Sequence, residues 1–235
     1  MENFDQNDYY QGNVMPFEST NDLQSVTKKT YSYMFFALII SGLFAFVTYS
    51  TGNAKEMLLN GTFYFLIIAE IICVFVTSAL ISKEKVAPAA IFGTMYCILN
   101  GLTLSVIFLA YDMHSIISVF FIAAGLFGIM TIYARVTKKD LTSMGSFLIM
   151  ALFGLVLVTI VNSFILKSEG LDLILAYVGV FLFLGIAAYD TQMIKKMVQN
   201  GHSSENAIAL FCALNLYLDF INIFLKLLRI FGKRN

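Results

Sequence analysis

Long uncharged runs alternate with short charged clusters along the 235-residue chain, and the runs have membrane-crossing length. About 20 apolar residues carry a helix across the hydrocarbon core. The spacing predicts seven such spans, over residues 31–50, 62–82, 86–111, 116–134, 143–166, 171–189 and 206–230. Barrel strands would instead show short segments of alternating polarity, and the chain has none.

Composition strengthens this picture. The chain is 59% hydrophobic and 13% charged, against roughly 25% charged residues in a soluble domain. The fold class that follows is an all-α integral membrane protein, a seven-transmembrane helix bundle spanning residues 28–235. Residues 1–27 differ: Glu2, Asp5, Asp8, Glu18 and Asp22 stand there without a base. Such a segment is expected to be a disordered acidic tail. It lacks the basic and apolar regions of a signal peptide, so insertion is expected to rely on the first true span.

Charge also predicts orientation. Lys28, Lys29, Lys83, Lys85, Arg135, Lys138, Lys139, Lys195 and Lys196 fall on the side of the N-terminus, whereas Lys55 and Lys167 occupy the opposite loops. By the positive-inside rule the N-terminus is cytoplasmic. Seven spans then put the C-terminus outside, although Lys226, Arg229, Lys233 and Arg234 crowd that end. The last span either breaks the rule because it is buried or re-enters. Cys73, Cys97 and Cys212 lie in three separate apolar runs and read as packing residues. His114 and His202 lie in separate loops, which argues against a shared metal site.

The last span carries a polar stripe. Asn215, Asp219, Asn222, Lys226 and Arg229 follow steps of four, three, four and three, and so fall within an arc of roughly 80°. In lipid that stripe must face protein or water. Apolar residues cover the remaining faces, which places this helix centrally among the others. The plain reading is interhelical glue; the sharper one is a cation-accessible path. Glu70, midway along the second span, and Asn100, which shares a face of the third with Tyr96 and Thr103, are candidates to line the same space.

Asp190 ends the sixth apolar run and Asp219 lies within the seventh. A carboxylate at membrane depth costs a few kcal/mol or more and marks a functional site by default. Two of them in low dielectric cannot both ionise cheaply, so if they meet they share a proton. Losing that proton adds repulsion, which is the physics of a latch. Hydropathy leaves their meeting doubtful, because it sets Asp190 at the cytoplasmic surface and Asp219 mid-membrane. Lys83 and Lys85 are the candidate latch cations.

Three segments on three predicted helices, Asn100-Gly101-Leu102-Thr103-Leu104-Ser105, Gly185-Ile186-Ala187-Ala188-Tyr189-Asp190-Thr191-Gln192 and Ala213 through Phe224, resemble the Bax inhibitor-1 family. The likeness covers about residues 28–232. It implies seven helices around a central last helix, and a pH-dependent calcium leak sensed by Asp190 and Asp219. The calcium ion is then permeant and touches these carboxylates transiently; no cofactor is implied. Members can carry an arginine at the cytoplasmic end of the second helix, where this chain has Lys83-Glu84-Lys85. Lys233-Arg234-Asn235 is not an organelle retention signal, so a bacterial inner membrane is the expected location. The expected partners are lipid, calcium ions and protons, with no nucleic acid. Two other functions are alternatives. One is an interaction protein that acts on a membrane-bound protease through residues 1–27. The other is an intramembrane aspartyl protease, for which Asp219 lacks the glycine-rich context and the chain lacks the late proline motif.

Overall fold

The computed structural model describes residues 20–201 and 203–235, and among them every long element is helical. The helices are α1 (Thr20–Ser50), a short α2 (Asn53–Leu59), α3 (Thr62–Ile81), α4 (Val86–Leu104), a one-turn α5 (Ile107–Ala110), α6 (Met113–Val136), α7 (Gly145–Val161), α8 (Glu169–Asn200) and α9 (Glu205–Phe231). A 3-10 turn, Leu141–Met144, leads into α7, and a π turn, Asn162–Leu166, leaves it. Seven segments are long and apolar enough to cross a membrane.

Contacts sort the connections onto two faces. On one face the Glu84 carboxylate accepts from the Ser204 amide, Gln192 accepts from the Leu141 amide and donates to the Lys139 carbonyl, and Lys29 pairs with Glu205 at 2.8 Å. These bonds gather the start of α1 and the α3–α4, α6–α7 and α8–α9 turns into one layer, which also holds the nine bases expected there. On the far face, the Asp112 amide donates to the Lys233 carbonyl and the Asn235 amide to the Ala110 carbonyl. Tyr111 and Arg234 form an antiparallel bridge beside them. The last span therefore crosses once and does not re-enter.

α9 packs against α1, α3, α4, α6 and α8, while α7 packs mainly on α8. Of its membrane window 67% is buried, against 17–33% for the five spans before α8. Large apolar side chains such as Phe75, Phe153 and Phe181 point outward instead, as lipid-facing residues must.

Two boundaries differ from expectation. α1 begins at Thr20, and Val26 is fully buried in the core, so residues 20–27 belong to the bundle. Of the expected acidic tail, residues 1–19 lie outside the described residues. α8 runs eleven residues beyond Tyr189, to Asn200, and stops where Gly201 takes a left-handed backbone with φ 63°. Hydropathy reports where a segment prefers lipid, not where its helix ends; Thr191 to Asn200 stay helical outside the apolar window. The α8–α9 connection consequently spans four residues, 201–204, rather than the roughly fifteen expected.

Candidate functional site

The long α8 resolves the depth problem. Ten residues separate Asp190 from Asn200, and fourteen separate Glu205 from Asp219. At 1.5 Å per residue these are about 15 Å and 21 Å along two antiparallel helices. One helical turn of offset is within reach of side chains. The two carboxyl groups do meet, side chain to side chain. Asp219 is buried at 4% exposure and Asp190 is half-buried.

No cation joins them. The ion pairs among the described residues are Lys29–Glu205 and Arg229–Asp172. Lys83 and Lys85 are exposed in the α3–α4 turn without an ion pair to either aspartate. That turn is aimed at α9's first residues by Glu84, which has φ 56°. Oδ2 of Asp219 also has no hydrogen-bond donor among the described residues. Two carboxyl groups in contact in low dielectric cannot both ionise cheaply.

The α9 stripe faces α8, not an open path. Asp219 meets Asp190, the Lys226 stem lies against Gly179, and Arg229 pairs with Asp172. A methyl group on Gly179 would stand 3.0 Å from Lys226 Cε, so glycine there admits the long cation. Asn222 donates to the Leu218 carbonyl of its own helix at 2.8 Å, and Asn215 is half-buried. Of the stripe, Asn215, Asn222 and Lys226 were expected to share a space with Glu70 and Asn100. The structure separates the two groups.

Glu70 and Asn100 form a second cluster. Glu70 accepts from Thr103 Oγ1 at 2.6 Å and from Asn100 Nδ2 at 3.1 Å. Tyr217 donates to Asn100 Oδ1 at 2.8 Å, and its hydroxyl meets Ser41 Oγ at 2.6 Å. The cluster ties α1, α3, α4 and α9 together. Tyr217 and Asp219 are two positions apart, about 200° around the helix, so α9 presents one polar face to α8 and another to α1, α3 and α4.

Three further residues support these clusters. A methyl group on Gly101 would sit 2.6 Å from the Ser41 carbonyl oxygen, so this glycine lets α4 press on α1 beside Asn100. Gly145 does the same for the Tyr189 ring, which it would meet at 2.7 Å. Ser41, an isolated hydroxyl in an apolar span, was the visible signal for a buried hydrogen bond.

Cys73, Cys97 and Cys212 are buried free thiols. His114 falls in the first turn of α6, and His202 lies outside the described residues. No cluster of three or more His, Cys, Asp or Glu side chains suited to a metal ion occurs among the described residues.

Seven helices long and apolar enough to cross a membrane define an integral membrane protein of the polytopic helical class. The chain belongs to the Bax inhibitor-1 family: residues 23–235 match the family model described as "Inhibitor of apoptosis-promoting Bax1". It is similar to the "Inner membrane protein YbhL" of Escherichia coli (strain K12), 40% identical over 218 residues that cover 90% of this chain and 93% of the relative. An "Uncharacterized protein" of Borreliella burgdorferi is 38% identical over 211 residues, covering 88% of this chain and 90% of that one. Another "Uncharacterized protein", from Deinococcus radiodurans, is 37% identical over 220 residues, covering 93% and 94%.

Proposed function

We propose that this protein is a proton-regulated cation leak of a bacterial inner membrane, with Asp190 and Asp219 as its sensor and calcium as the permeant ion. The observation that carries the reading is the carboxyl contact between α8 and α9, buried and without a cation. With one proton shared, the pair clamps the two helices. With both carboxylates charged, repulsion in low dielectric pushes them apart. The same ionisation offers two hard oxygen ligands to a calcium ion. A clamp of this kind turns pH into a change of helix packing. Membership of the family supports the class, and the printed name of the Escherichia coli relative supports the membrane.

The orientation belongs to the same proposal: the basic face lies in the cytoplasm, following the positive-inside rule. Calcium entry into proteoliposomes, measured at several pH values with potassium compared, tests the whole reading. Wild-type protein is expected to show a pH-dependent flux. Asp219→Asn is expected to flatten that dependence, because an amide neither loses a proton nor repels Asp190. A mutant retaining the wild-type profile overturns the sensor role.

A further inference from the structure

On the basic face, α1, α6, the segment after α6 and α8 enclose a cleft of about 1540 Å³. Its upper wall carries six bases, Lys28, Arg135, Lys138, Lys139, Lys195 and Lys196, against one acid, Asp140. None of the six bases forms an ion pair among the described residues. Lys196 reaches the Thr142 hydroxyl at 3.4 Å and lies near enough to Asp140 to favour its charged form, and Arg135 stacks over the Tyr31 ring at 4.6 Å. Hydrogen bonds from the Thr142 side chain and amide hold the Asp140 carboxyl below the usual range, so it stays charged at neutral pH and does not become a donor. Five net positive charges converge there, and among the described residues none of the six bases is held in an ion pair.

The lower wall has a different character. Phe35 and Ile132 line it and are 60% and 64% exposed. They continue downward into outward-facing Ile39 on α1 and Ile129 on α6. The cleft thus straddles the place where the lipid-facing belt ends and the lysines begin. A soluble anion uses only the upper half of such a site. A phospholipid uses both, its phosphate among the bases and its acyl chains along Phe35 and Ile132.

We propose that this cleft is a binding site for an anionic phospholipid of the adjoining leaflet, held by Lys138, Lys139, Lys195 and Lys196. The site goes beyond the cation leak and does not depend on it. Basic pockets at the membrane surface between helices recognise lipid headgroups, whereas scattered bases attract any anionic surface without preference for a place.

The test uses full-length protein in detergent, titrated with phosphatidylglycerol or phosphatidylcholine and read by native mass spectrometry. Wild type is expected to retain phosphatidylglycerol in preference. The double variant K139Q/K196Q is expected to lose that preference by about tenfold or more, given the usual contribution of each base near an anionic headgroup. The matched control K83Q/K85Q removes two exposed bases from the same face but outside the cleft, and is expected to keep it. Equal loss in both doubles overturns the proposal in favour of general surface attraction. Displacement of the lipid by millimolar inorganic phosphate also overturns it, as a site for a soluble anion. So does lipid binding that emerges only after residues 2–18 are deleted, since the competitor is then the chain's own acidic segment.

Discussion

Tyr217 joins the helix that carries Asp219 to α1 and α4, and through Asn100 to Glu70 on α3. Its hydroxyl donates to Asn100 and contacts Ser41, and its ring stands edge-on to Tyr96 with centroids 5.8 Å apart. Tyr217→Phe keeps the ring contact and strands Asn100 Oδ1, whereas Ser41 Oγ keeps the Ala37 and Cys97 carbonyls. Leaving such a buried polar group without its partner costs about 1–3 kcal/mol, somewhat less where membrane helices find substitutes. A lower midpoint of thermal unfolding in detergent is the expected outcome, with the pH response of flux preserved. If the pH response vanished as well, the two polar faces of α9 would act as one network. Asn100 and Glu70 were visible in the sequence because polar residues in apolar runs stand out. Their partner was not, because a tyrosine on a helix rich in aromatics carries no such contrast.

At the scale of elements, glycine decides how near two helices come. α4 approaches α1 through Gly101, where a methyl group would also stand 2.8 Å from Phe44 Cβ. Since backbone lies on the other side, Gly101→Ala forces the helices apart and is expected to destabilise the fold by about 1–3 kcal/mol. Gly125→Ala, with nothing within 4 Å of the added carbon, is the control and is expected to be nearly neutral. Unfolding in denaturant, compared between the two variants, checks the difference. Helix number and approximate span positions were legible from hydropathy, because lipid demands long apolar runs. The meeting of Asp190 and Asp219 was not, because it depends on ten helical residues outside the apolar window. The α9 stripe is legible in the sequence as a face that meets protein or water rather than lipid. What it meets is α8, through Gly179 and Asp172, and periodicity within one helix holds no information about its neighbour.

Over the whole molecule, the two faces differ in charge and in architecture. One is a layer of short turns bonded to each other; on the other the C-terminal residues fasten the connection between α4 and α6. Single cysteines at Lys55 and Lys85, in a background with the three native thiols replaced, report the orientation. Intact cells treated with an impermeant maleimide are expected to label position 55 and spare position 85. The reverse pattern overturns the cytoplasmic placement of the N-terminus. The charge bias behind this expectation was fully legible in the sequence. The cleft that concentrates part of it was not, since its walls come from α1, α6 and α8, which are remote along the chain.

α9 is fastened at both extremities. Glu205 is gripped by Lys29 and Ser25, and beyond Phe231 the Lys233 amide donates to Ser115 while Asn235 holds Ala110. An axial piston stroke of this helix would have to rupture both moorings together. Neither mooring involves α8. Should the proposed carboxyl latch open, the motion then falls to α8 rather than to an axial shift of α9.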